Sequence, residues 1–235
     1  MQLFYNSEIT DSTTQFSFPK EESKHIVKVL RKNVGDILHI TNGCGWLFTA
    51  EVTIPNTNKC IATIVSKSQQ SKRGYHLHLA VAPTKMNDRY EWFLEKATEI
   101  GIDSITPIFC DHSERKVIKP ERFERILQSA MKQSLNCYLP TLNEAIPFKT
   151  FIKQDFKGDL FIAHCEETHR TSLKEALKPK QDITILIGPE GDFSIKEIEQ
   201  ALQKNFSPVT LGETRLRTET AAIVACHSVA FINEL

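Results

Sequence analysis

From residue 76 onward, short β-branched runs alternate with longer segments of helical period, and this alternation limits the fold more than any other feature of the chain. Residues 76–82, 104–109, 159–163, 182–187 and 209–211 read as strands, and residues 88–100, 120–136, 194–204 and 218–232 read as helices. Each strand is followed by enough chain to cross over and return in the same direction. The expected product is a mostly parallel sheet covered by helices. Two helix starts carry a further signature: Ser194 with Glu197, and Asp88 with Glu91, each have the spacing of a capping box.

Residues 66–74 are polar, lack apolar periodicity and read as a linker, dividing the chain into domains 1–70 and 71–235. Before the linker, residues 37–41, 46–54 and 59–67 alternate as strands, and Asn42-Gly43-Cys44-Gly45 supplies turn chemistry. One helix, at 22–31, turns Ile26, Val27, Val29 and Leu30 inward and leaves Lys24, Lys28, Arg31 and Lys32 to solvent. The first domain is expected to be a small β-barrel or sandwich.

The chain carries 29 Lys plus Arg against 29 Asp plus Glu, so any nucleic-acid binding must use local basic patches, not overall charge. The six cysteines form no Cys-x-x-Cys pair and no zinc set, which predicts reduced thiols and no metal. The first residues lack a basic segment followed by an apolar one, and no apolar run approaches the roughly 20 residues that span a bilayer. A cytoplasmic protein without membrane contact is expected.

Two loops stand out. The buried run 183–187 leads into Gly188-Pro189-Glu190-Gly191-Asp192-Phe193 and then into a capped helix. The second follows the strand at 209–211 as Gly212-Glu213-Thr214-Arg215-Leu216-Arg217, entering a helix at Thr218-Glu219. Ligands of open α/β sheets sit beyond the carboxyl ends of strands, where glycine lets the backbone approach closely. By spacing alone the first loop is as readily a plain strand-to-helix turn, and the second also reads as a solvated loop before a capped helix. A Gly-x-Gly-x-x-Gly after the first strand of the second domain and a Walker loop are both lacking, which argues against a Rossmann dehydrogenase and an ordinary Rossmann methyltransferase alike.

The pair IGPEGDFS and LGETRLRTETAA, in this order, resembles the 16S rRNA uracil-N3 methyltransferases, the ribosomal small subunit methyltransferase E family of the SPOUT superfamily. His25 through Asp36 resembles that family's HxxxVLRxxxGD, residues 87–101 its KxTELG helix, and Gln133-Ser134 its QS segment. The chain departs from the family pattern at three places. Asp192 stands where Gly is frequent, Asn136 where Arg is, and Thr214 where an Arg is usual, with Arg215 beside it.

The resemblance implies an S-adenosylmethionine-dependent enzyme. It would methylate N3 of a uridine in the decoding region of 16S rRNA, on the assembled small subunit, as a homodimer. The implied fold is a PUA-like RNA-binding barrel followed by a trefoil-knotted sheet. The methyl donor would be held by Ile187, Gly188, Pro189, Glu190 and Gly191, by Leu211, Gly212, Leu216 and Thr218, and by His164-Cys165-Glu166 as a third wall. Arg217 is the expected catalytic group, stabilising charge on the uracil, with Glu219 as base or orienting partner. Glu219 reads equally as a first-turn carboxylate favoured by the helix dipole. RNA contacts fall to Lys24, His25, Lys28, Arg31 and Lys32, extended by Arg89, Arg115 with Lys116 and Lys119, and Arg215. Two other readings stay open: ribose 2′-oxygen methylation on the same scaffold, and an assembly factor without catalysis.

Overall fold

The computed structural model describes residues 1–166 and 169–234. The chain folds into two units: Met1–Lys72 with Met131–Leu139, and Arg73–Ala130 with Pro140–Leu235.

The first unit contains β1 (Leu3–Tyr5), β2 (Gln15–Ser17), a short helix α1 (Lys20–Lys24), β3 (Ile37–Thr41), β4 (Trp46–Ile54) and β5 (Ile61–Gln69). The strands form one sheet in the order β1-β3-β4-β5-β2, antiparallel except for the β1–β3 pair. Alternation along β4 sends Phe48, Ala50 and Val52 inward, where they join Phe4, Phe18, Ile26 and Ile40 in the core.

The helix expected at 22–31 is instead α-helical only to Lys24, and a π-turn, His25–Val29, completes it. Its end is closed by Arg31 in the left-handed region (φ 54°), with Lys32 N–H returning to Ile26 O at 3.1 Å. The wider turn keeps Ile26 fully buried but rotates Val29 outward to 64% exposure, which corrects its inward assignment. Lys24, Lys28 and Arg31 are exposed; Lys32 and His25 are half-buried. His25 accepts from the Gln2 side-chain amide at 3.0 Å and stands edge-on to Phe4.

Residues 137–139 complete the hairpin that joins β3 to β4. Gly45 N–H donates to Cys137 O (2.8 Å), Leu139 N–H to Gly43 O (2.9 Å), and the Thr41 hydroxyl to Cys137 O (3.1 Å). This approach requires both turn glycines. A Cβ on Gly45 would lie 2.4 Å from the Tyr138 ring, and one on Gly43 3.1 Å from Leu139 Cβ. Asn136 accepts the Tyr138 N–H at 3.0 Å, so its side chain shapes this turn.

The second unit contains β6 (Leu77–Val81), α2 (Asn87–Ile100), β7 (Ser104–Phe109), α3 (Pro120–Gln133, its last turn belonging to the first unit), β8 (Thr141–Leu142), β9 (Ile146–Pro147) and α4 (Phe148–Phe151). It continues with β10 (Asp159–Ala163), β11 (Thr171–Ser172), α5 (Leu173–Ala176), β12 (Ile183–Ile187), α6 (Ile195–Gln203), β13 (Ser207–Thr210) and α7 (Thr218–Asn233). Every pairing is parallel, in the order β11-β13-β10-β12-β6-β7-β8, with β9 also on β7.

Both faces are covered, and this is why β12 is buried along its whole length. Ala80, Ile108, Ile162 and Leu186 share one face with Phe148 and Phe151 of α4 and Ile198 and Ala201 of α6. Helix α7 packs on β6 and β12, with α2 against it. No helix among the described residues is long and apolar enough to cross a membrane.

The capping box at Ser194 and Glu197 is present in full. The one expected at Asp88 is not. Helix α2 starts a residue earlier behind Met86, which places Asp88 inside the helix without a side-chain cap, and Glu91 pairs with Arg122 at 2.6 Å.

Candidate active site

Strands β13, β10 and β12 are adjacent and parallel, with Ala163 level with Ile187 on one side and Val209 on the other. Their following loops, of which 164–166 with 169–170, 188–193 and 211–217 are described, therefore leave the same sheet edge side by side. Together they wall a cavity of about 620 Å³, within the range of small-molecule sites. All three loops belong to the second unit.

The middle loop is tied down at almost every residue. Glu190 Oε1 accepts the Lys85 N–H at 2.9 Å, and the His112 ring donates from Nδ1 to Gly191 O (3.0 Å) and Asp192 O (3.1 Å). The Ser194 hydroxyl donates to Asp111 Oδ2 at 2.8 Å, while the buried Glu197 carboxylate accepts from Ser194 N–H and Asp111 N–H, both at 2.9 Å. Gly188 is packed so closely that a Cβ there would stand 3.0 Å from the Phe193 ring. The Thr218 hydroxyl donates to Gly188 O at 3.0 Å, bringing the start of α7 to this loop.

The third loop is nearly bare. Gly212 has φ 142° with open space where a side chain would be, and residues 212–215 and Arg217 are exposed. Arg215 and Arg217 line the cavity, and their guanidinium groups have no hydrogen bond or ion pair among the described residues. Of the first loop, Cys165 and Glu166 are exposed at the cavity, and Arg170 lines it while donating to His164 O. His164 is 5% exposed with neither ring nitrogen partnered among the described residues, and burial pushes its pKa down, keeping the ring neutral.

Every residue expected to hold the cofactor lines this cavity, as does Arg217. Glu219 does not. It is 6% exposed in the first turn of α7, with Oε1 3.8 Å from Arg89 Nε and Oε2 unpartnered among the described residues. Arg115 is half-buried and spends its guanidinium on the carbonyls of Thr84 (3.1 Å) and Lys85 (2.8 Å). Lys116 and Lys119 are exposed. Arg170, Asp192, Glu213 and Thr214 also line the cavity, none of them expected from the sequence to hold the cofactor. A signal existed for Asp192, because Asp is one of the few side chains that accept a left-handed backbone (φ 62°).

A family model described as an RNA methyltransferase domain matches residues 70–230, and one described as an RNA methyltransferase PUA domain matches residues 18–65. The chain is 33% identical to ribosomal RNA small subunit methyltransferase E of Buchnera aphidicola, over 90% of this chain and 86% of that one. Among solved structures, it is similar to a probable rRNA-methyltransferase from Porphyromonas gingivalis, with TM-score 0.91 and 41% identity over 100% of this chain and 99% of that one. It is also similar to a ribosomal RNA small subunit methyltransferase E from Neisseria gonorrhoeae bound to S-adenosyl methionine, with TM-score 0.86 and 25% identity over 99% and 98%. With family models matching each unit and relatives aligned over nearly its whole length, the chain belongs to the ribosomal RNA small subunit methyltransferase E family of RNA methyltransferases.

Proposed function

We propose that this protein uses S-adenosylmethionine to methylate N3 of a uridine in the decoding region of 16S rRNA, acting in the cytoplasm on the assembled small subunit. The observation that carries the reading is one cavity with two unlike walls: a braced glycine loop, and a bare loop bearing two arginines unpaired among the described residues. The braced side suits the methyl donor. The cavity is large enough, Gly188 and Gly191 bring backbone close, and Ile187, with Leu211 from the facing loop, supplies an apolar slot for a purine. A relative bound to S-adenosyl methionine supports the same ligand here.

The bound cofactor would supply an electrophilic methyl group on a sulfonium. The protein has to hold a uridine in line with it and favour loss of the weakly acidic N3 proton. Arg217 fits the second task. An exposed guanidinium at the cavity, unpaired among the described residues, can donate to a uracil oxygen and stabilise the negative charge that grows there. The position of Glu219 outside the cavity wall supports an orienting role through Arg89 more than a direct role as base. Arg215, beside Arg217, suits a phosphate, as do exposed Lys24, Lys28 and Arg31 of the first unit. Arg89, His25 and Lys32, each half-buried, remain proposed RNA contacts, and Arg115 would serve mainly to hold its own loop.

We further propose the trefoil knot and the homodimer. The Thr218–Gly188 contact, which returns α7 across the loop after β12, supports the knot. Helix α7 is largely apolar, and its Phe231 is 55% exposed beside His227, which supports burial of this face against a second copy.

The test is methyl transfer from labelled S-adenosylmethionine to small subunits from cells lacking the protein, with analysis of the nucleosides. Label in 3-methyluridine is the expected result. Label in a 2′-O-methylated nucleoside would overturn the assigned position. Tight particle binding without transfer would favour an assembly factor.

A further inference from the structure

Asp192 stands where the family frequently has glycine, and its surroundings show what the carboxylate does. The backbone there is left-handed (φ 62°), a conformation that Asp tolerates and most side chains do not. Its two carboxylate oxygens are divided between two segments. Oδ2 accepts the N–H of Cys165, in the neighbouring loop, at 2.7 Å, and Oδ1 accepts the N–H of Phe193 at 2.8 Å. The backbone of Asp192 is equally engaged: its N–H donates to Pro189 O at 3.0 Å, and its carbonyl accepts from the His112 ring at 3.1 Å.

We propose that Asp192 is a positioning residue, a clamp that fixes the separation of the loops at 164–166 and 188–193 and so sets the cavity for the methyl donor. The inference rests on the reading of this cavity as the S-adenosylmethionine site. Among the described residues the loop at 164–166 has few other holds: Arg170 grips His164 O, and Cys165 and Glu166 are exposed. The clamp is a charge-assisted bond between a carboxylate and a backbone amide, the strong class of hydrogen bond. The bond joins protein groups alone, so its effect on binding would come through the order of the cavity wall and not through a contact to the ligand. A glycine at 192 would keep the turn and lose the clamp, and this makes the two functions of the residue separable.

The experiment compares the full-length wild type with Asp192→Gly and Asp192→Asn in three measurements. These are amide exchange of Cys165 without ligand, calorimetric affinity for S-adenosylmethionine, and kcat at saturating cofactor. Asp192→Gly is expected to fold normally, to exchange the Cys165 amide at least about tenfold faster and to bind the cofactor about tenfold more weakly, with kcat within about twofold. Asp192→Asn keeps one acceptor oxygen and the left-handed turn, so its affinity should fall between the other two. Unchanged exchange in Asp192→Gly would overturn the clamp whatever the ligand. Faster exchange with unchanged affinity would overturn its effect on the cofactor. Failure of the wild type to bind S-adenosylmethionine would overturn the reading of the cavity, and the inference with it.

Discussion

The loops after β12 and β13 leave the same sheet edge, face one cavity and lead into helices, yet they are built in opposite ways. The first has Glu190, Asp192 and Ser194 bonded to neighbouring segments, with Phe193 packed under Gly188. The second holds itself mainly through the Thr210 hydroxyl, which donates to Gly212 O at 2.8 Å, and leaves Arg215 and Arg217 unpaired among the described residues. A ligand that must be held the same way at every turnover belongs on the braced loop. A substrate that brings its own rigid shape, as a folded RNA does, can be met by side chains that settle on contact. Pre-organisation has been placed on one side of the site and freedom on the other.

The contrast makes opposite demands on mutants. Arg217→Ala should lower methyl transfer by about 10²–10³-fold while leaving the thermal midpoint where it is, because the guanidinium holds nothing among the described residues. Near-normal turnover would remove Arg217 from the reaction. Gly188→Ala should act through stability: the added methyl meets the Phe193 ring, and urea titration should show a loss of about 1–3 kcal/mol. Ser194→Ala removes the cap of α6, with an expected loss of about 1 kcal/mol by the same titration. Unchanged stability in both would mean that the loop is not braced as its contacts imply. The smallest effect is expected from Arg215→Ala. Cofactor affinity should stay constant, and the salt dependence of RNA binding should flatten by about one phosphate contact. A change in cofactor affinity instead would put Arg215 on the wrong side of the comparison.

The sequence is most legible where burial repeats. Strands β3, β4, β7 and β10 fall where alternation or a continuous apolar run puts them. Three-residue β1 and β2, and two-residue β8, β9 and β11, are too short to carry a period, and they exist because a neighbouring strand offers them a partner. The apolar pattern starts strand β13 at Val209, but the strand begins at Ser207. Pro208 is tolerated beside Ile162 because β11 pairs only from Val209 onward, leaving that side of the proline open.

At the site, the glycine loops can be read because glycine marks close approach. Arg170 cannot, since its place depends on a contact with the carbonyl of His164 that no spacing rule describes. Asp192 is visible as a departure and as a residue type that accepts a left-handed turn, but not as a link between loops. Its meaning requires knowing that Cys165, 27 residues earlier, leaves the adjacent strand.

The hairpin of the first unit has a consequence in time. Its Thr41 hydroxyl meets Cys137, 96 residues further along the chain. At roughly 5–20 residues per second, synthesis delivers that partner roughly 5–20 seconds after Thr41 itself, and later still beyond the ribosomal exit tunnel. Until then the edge formed by Gly43 and Gly45 lacks its covering segment, and a fragment ending at residue 72 would keep that edge open for good. The N-terminal unit is the first to be started, yet it is complete only once the chain has passed residue 139.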